Sequence, residues 1–230
     1  MAWNARITKE AVTQLAADKA AVTAVAGDIL SSRTLLGVAG TFDLDALMVS
    51  AGFAAGKVSM TISSTTTVAP VFTALTLVDA NFVWVAPNGT SFTGKAPAGA
   101  NFTAGGVGTY RVYCTNWSAV TTFDCYDDNV TALNVAVATA LTYLDCYTNA
   151  LTTLDVSTNT LLTSLYCSSN ALTSVVVNAI LAALVAAAVN TGAASLDGQT
   201  PAAAPTGQGL TDLATLTTVA PGRAWTITTD

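Results

Sequence analysis

The sequence predicts a β-rich α+β protein. A helical and turn-rich N-terminal arm and a small β-sandwich-like domain lead into a short solenoid of about three 21-residue coils, closed by an α/β C-terminal cap. Three observations predict it. A 21-residue unit recurs in the second half of the chain. The stretch before it alternates apolar and polar residues between turn signals. The composition is 52% apolar but only 10% charged, against about 25% charged in an average soluble domain, with Thr, Ser, Asn and Gly filling much of the remainder.

The arm covers residues 1–45. Within it, residues 8–27 read as a helix with Thr8 as a candidate cap and a weak stripe along Val12, Leu15, Ala16, Lys19 and Val22. Two readings stay open: a locally packed helix, or an arm for docking and oligomerisation. Gly37, Gly40, Gly52 and Gly56 mark turns. The first residues lack the basic-then-apolar run of a secretory signal, so synthesis in the cytosol without an export signal is expected.

The β domain covers residues 46–111. Strand-like alternation appears at Val58, Met60 and Ile62, at Leu75 and Leu77, and at Phe82, Trp84 and Val85. Pro87-Asn88-Gly89, Pro97-Ala98-Gly99 and Gly105-Gly106 punctuate it.

Residues 112–184 carry the repeat. Its apolar columns are Phe123, Leu144, Leu165; Cys125, Cys146, Cys167; Val130, Leu151, Leu172; Leu133, Leu154, Val175; and Val135, Val156, Val177. Leu141 and Leu162 add another, and Val112, Cys114 and Val120 fit a partial earlier coil. Two short strands per coil are expected, with alternate side chains inward and neighbouring coils stacked in parallel. The Asp128, Asn149, Asn170 column suits an inward amide that satisfies turn backbone of adjacent coils. The four cysteines contain no CxxC pair, and three of them follow the repeat spacing, so they read as buried thiols that fill an apolar column.

The cap covers residues 185–230. A helix is expected over Val177 to Val189, a short strand at Ser195-Leu196, a second helix over Leu210 to Leu216, and a final strand over Ala224 to Thr228 with Trp225 in its core.

Composition narrows the chemistry. There is no histidine, which removes Ser-His-Asp and Cys-His catalysis and HExxH-type zinc sites. The eight basic residues are scattered, so nucleic-acid binding is not expected. The apolar run from Val175 to Val189 is interrupted by Asn178 and falls short of the roughly 20 residues of a membrane span. The expectation is a binding or structural protein with no enzymatic activity and no cofactor.

The candidate binding residues are Asp124, Tyr126, Tyr143, Asp145, Tyr147 and Tyr166, placed on the outward side of the first strand of each coil. Tyr beside Asp can stack on a sugar and accept its hydroxyls, and Tyr is common in protein interfaces. The competing reading is a solvated strand face on which Tyr has good β-propensity. Asp124, Asp127 and Asp128 form a candidate calcium cluster whose spacing fits no known loop. Asp124 and Asp145 could also pair as in a glycosidase, but no feature suggests a cleft.

The form Leu144-Asp-Cys-x-x-Asn149-x-Leu151-Thr-x-Leu154-Asp-Val-Ser157 resembles the leucine-rich repeats of bacterial surface proteins and of bacteriophage tail-fibre-like proteins. Ile180-Leu-Ala-Ala-Leu184, Gly207-Gln-Gly209 and Gly222-Arg-Ala-Trp-Thr-Ile-Thr228 resemble the C-terminal caps of those phage proteins, and residues 28–41 a recurring phage structural segment. The resemblance implies a virion protein, such as a tail fibre, spike or capsid decoration. It would be anchored to other virion proteins by its N-terminal region, exposed on the particle, homo-oligomeric, and directed at a host-surface glycan or protein. The alternative is a bacterial cell-surface or secreted leucine-rich-repeat adhesin whose signal peptide is missing from this sequence.

Overall fold

The computed structural model describes residues 44–64, 70–74, 76–218 and 223–230. The expected helix at residues 8–27, the segment 28–41 and Leu75 lie outside them.

Two sheets, four α-helices and two single-turn 3-10 helices (Asp79–Asn81 and Trp117–Ala119) make up the described fold. In chain order the strands and α-helices are α1 (Leu44–Ser50), β1 (Val58–Ile62), β2 (Val71–Ala74), β3 (Phe82–Val85), β4 (Ser91–Thr93), α2 (Gly99–Gly105), β5 (Gly108–Cys114), β6 (Val120–Asp124), β7 (Val130–Asn134), β8 (Tyr143–Asp145), β9 (Ser164–Tyr166), α3 (Ser174–Ala186), β10 (Thr191–Ser195), α4 (Gln208–Thr217) and β11 (Ala224–Thr228). Strand order is β4-β3-β5-β1-β7 in a five-stranded sheet and β11-β10-β9-β8-β6-β2 in a six-stranded one.

The five-stranded sheet is antiparallel throughout. All four residues of β3 are buried, because the sheet is covered on both faces. On one side Val83, Val85 and Tyr113 pack against Met48, Ala51 and Phe53 in and after α1. On the other side Trp84, Met60, Tyr110 and Val112 join a core that continues through Phe123, Leu144 and Leu165 to Leu181 and Trp225. Phe72 on β2 ties the two sheets, stacking on Phe123 at 4.3 Å between ring centroids and on Phe82 at 5.4 Å.

In the six-stranded sheet, β6, β8, β9, β10 and β11 run parallel and β2 closes one edge antiparallel. Thr122, Tyr143 and Ser164 are in register across β6, β8 and β9, so the 21-residue spacing of the sequence becomes a one-strand step. Apolar residues of these strands point inward: Phe123, Leu144, Leu165 and Cys125, Cys146, Cys167 are all fully buried.

This architecture corrects the expected fold class. In a solenoid each repeat contacts only its neighbours. Here β1 pairs with both β5 and β7, and β2 with β6, so strands drawn from before the repeat complete both sheets around a shared core. In place of a small β-sandwich-like domain followed by a capped solenoid, the chain forms a mixed, sheet-rich fold. Two strands per coil do not form either: β7 leaves to pair with β1, and residues 151–156 contain no strand. Val112 and Cys114 lie on β5 in the five-stranded sheet, not in an earlier coil. Val175 sits in the first turn of α3 and is 76% exposed, because the helix starts where the column would require an inward strand residue.

Helix α3 starts at Thr173, whose hydroxyl accepts the backbone N–H of Val176 at 3.4 Å. Near its other end Arg223 donates to the Val185 carbonyl at 2.9 Å, placing a cation at the negative end of the helix. Trp225 is buried and donates to the Val189 carbonyl at 2.9 Å. No described helix is long and apolar enough to cross a membrane.

Candidate functional site

The outward face of the six-stranded sheet is built by register. One row across it reads Thr122, Tyr143, Ser164 and Ala193. The next reads Asp124, Asp145, Tyr166 and Ser195. Tyr126 and Tyr147 follow just beyond the ends of β6 and β8. All six candidate residues therefore lie on one side of neighbouring strands.

Tyr126 and Tyr147 are 51% and 38% exposed, and their rings stack at 5.5 Å with planes 3° apart. Such a parallel pair is a rigid platform, since each ring restricts the other. Tyr143 and Tyr166 form a second pair at 5.6 Å, tilted by 54°. The two carboxylates hold their turns by the same device. Asp124 Oδ1 accepts the backbone N–H of Tyr126, and Asp145 Oδ1 that of Tyr147, each at 3.0 Å. Asp145 Oδ2 also accepts the Tyr143 hydroxyl at 3.0 Å. Burial pushes the Asp145 carboxyl above its usual range, and the Asp124 charge beside it acts the same way, outweighing the two hydrogen bonds. Burial, then the bond to Asp145 and its charge, pushes Tyr143 up to about 12.

Beneath this face runs a ladder of amides. Asn149 Oδ1 accepts the N–H of Val130 at 2.8 Å, while Nδ2 faces the carbonyls of Cys125, Cys146 and Tyr147. Asn170 repeats this one strand on, with Leu151 as donor and Cys146, Cys167 and Ser168 as acceptors. Gln199 repeats it again, with Leu172 as donor and Cys167, Leu196 and Asp197 as acceptors. The residues before these amides, Thr148, Ser169 and Gly198, all have positive φ, as does Asp127 in the first turn. The αL turn aims each amide inward.

Sequence reasoning missed Gln199. The signal exists: Ser195-Leu-Asp-Gly-Gln199 parallels Tyr166-Cys-Ser-Ser-Asn170, with Leu196 at the cysteine position. It is offset to a spacing of 29 residues because α3 is inserted between the two turns. Asp197 was also missed. It receives the hydroxyls of Thr228, Ser195 and Ser168 at 2.6 to 3.0 Å, and these bonds, Thr228 first, hold its carboxyl below the usual range.

The suggested calcium cluster is not supported by the fold. Asp128 is buried while Asp127 faces solvent, and no group of three His, Cys, Asp or Glu among the described residues could hold a metal ion. Cys114, Cys125, Cys146 and Cys167 are free, buried thiols. An open groove of about 370 Å³ lies elsewhere, between Leu133, Leu154, Asp155 and the exposed start of α3.

No protein-family model, curated protein or solved structure matches the chain.

Proposed function

We propose that the protein is a bacteriophage virion structural protein, a tail fibre, spike or capsid decoration, that presents the outward face of its six-stranded sheet to the host surface. The particle assignment rests on the resemblance of residues 28–41 and about 108–230 to phage structural segments. The observation that carries recognition is the parallel Tyr126/Tyr147 pair, exposed beside the in-register carboxylates of Asp124 and Asp145. Exposed aromatic rings locked by stacking offer contact area at low entropic cost, as recognition surfaces require. The role is one of binding rather than catalysis, with the N-terminal region as the anchor to other virion proteins and several copies per particle.

Two measurements test this. Intact protein should be found by mass spectrometry in purified particles; its confinement to a bacterial envelope would instead favour the bacterial adhesin reading. Particles carrying Tyr126→Ala with Tyr147→Ala should adsorb to host cells at least about tenfold more slowly. Unchanged adsorption would remove the face from attachment.

A further inference from the structure

We infer that the Tyr126/Tyr147 and Asp124/Asp145 patch takes an ammonium-bearing saccharide, an amino sugar whose nitrogen is unacetylated and protonated. The inference rests on the proposed reading of this face as a recognition surface and names its ligand chemistry.

The charge distribution carries it. From Val112 to Gly222 the chain has no Lys, Arg or His, yet holds Asp124, Asp127, Asp128, Asp145, Asp155, Asp197 and Asp212. The described cations lie elsewhere: Lys57 pairs with Asp45, Lys95 donates to the Leu77 carbonyl, Arg223 donates to the Val185 carbonyl, and Arg111 on β5 acts electrostatically on Asp45. Among the described residues, the strands of this sheet carry the carboxylates of Asp124 and Asp145 and no Lys or Arg. An acidic polysaccharide would be repelled, and a neutral one would leave the charges uncompensated.

The geometry agrees. Asp124 and Asp145 are register partners on adjacent parallel strands, about 4.8 Å apart in backbone. Their Oδ1 atoms are fixed by backbone N–H groups, so the carboxylates are preorganised. A cation placed beside both relieves their mutual repulsion. The Tyr126/Tyr147 platform begins two residues further along the same strands, and aromatic faces attract ammonium groups. A saccharide supplies both parts of the match: an apolar ring face for stacking and a charged nitrogen for the carboxylates.

Calorimetric titration of the full chain would use three probes: a glucosamine tetramer with its amines protonated, the N-acetylglucosamine tetramer, and a uronic acid tetramer. The glucosamine tetramer should bind at least about tenfold more tightly than the other two. Asp124→Asn with Asp145→Asn should reduce that binding at least about tenfold, and raised salt should weaken it. These substitutions keep the Oδ1 acceptors of both turns, so the fold is retained. Tyr147→Ala should also weaken binding, while Tyr147→Phe, which keeps the ring, should not. Equal or tighter binding of the N-acetylated tetramer, or glucosamine binding indifferent to the two Asn substitutions, would overturn the inference. If the N-acetylated tetramer binds through Tyr147, the charge assignment fails but the recognition surface stands. If no saccharide binds and adsorption is also unaffected by the Tyr substitutions, both readings fail.

Discussion

Asp145 is placed where its charge works against folding. It faces Asp124 across one strand step and is half-buried, and burial together with the Asp124 charge holds its carboxyl above the usual carboxylate range. A carboxyl whose folded pKa exceeds its unfolded one binds more protons in the native state. Its ionisation therefore costs stability as pH rises from about 3.8 through the raised value, and the cost is constant above that window. Asp145→Asn keeps the acceptor for the Tyr147 N–H and removes the charge. The variant should be more stable than wild type at neutral pH, and the gap should close as the pH falls below 3.8. Thermal melts of both proteins across that range check this. A gap that widens on acidification would show that the carboxylate is net stabilising. At this scale much was legible in the sequence. The side on which Tyr126, Tyr143 and Tyr147 lie follows from strand alternation around Phe123 and Leu144. The pairing of Tyr143 with Asp145, and the angle of each ring, depend on neighbours that a linear pattern does not specify.

The parallel strands β8 and β9 are only three residues long, too short to hold register by strand hydrogen bonds alone. The amides of Asn149, Asn170 and Gln199 supply what the strands lack, each joining backbone groups of two successive turns. Asn170→Ala should therefore cost about 3 kcal/mol or more, because it leaves the Leu151 N–H and several carbonyls unsatisfied in a buried site. Asn170→Asp should be worse at neutral pH, since it turns a charged acceptor toward those carbonyls. Urea unfolding midpoints measure both; a loss below about 1 kcal/mol for Asn170→Ala would show that water replaces the amide. The Asn149 and Asn170 rungs could be read from spacing because their turns are 21 residues apart. Gln199 could not, because α3 intervenes and Gln replaces Asn. Thr121, Thr142 and Thr163 also recur at the 21-residue spacing, and this column ends at the same place. Thr142 and Thr163 each bond back to the preceding strand, but the next position is Gly192, where a Cβ would lie 2.6 Å from both the Thr163 carbonyl and Trp225. A third departure is Val175, which keeps the repeat's apolar identity but enters a helix.

The whole molecule is unified by pairings the repeat does not encode. Strand β1 lies between β5 and β7, so residues 58–62 meet residues 130–134. Periodicity records what is near in sequence, whereas these contacts depend on β-strands of similar composition selecting partners across the chain. That is why the recurrent unit was evident and the two-sheet arrangement was not. A single core running from Val58 to Trp225 predicts one cooperative transition. Trp84 and Trp117 report on the region around the five-stranded sheet, and the Cys125, Cys146 and Cys167 thiols on the parallel ladder. With Trp3 and Trp225 replaced by Phe and Cys114 by Ser, so that each probe reports on one region, tryptophan fluorescence and thiol accessibility should give coincident midpoints in urea. Two separated midpoints would mean that the ladder folds as an independent unit.

The cation-free stretch from Val112 to Gly222 has a practical consequence as well. Proteases that cut after Lys or Arg find no site anywhere in it. Even fully unfolded, this half of the molecule leaves a tryptic digest as one fragment, Val112 to Arg223, far longer than peptides sequenced routinely. A mass-spectrometric survey based on trypsin would under-count the protein, seeing it only through residues 1–111 and the last seven. Cleavage at its aromatic or aspartate residues would recover it.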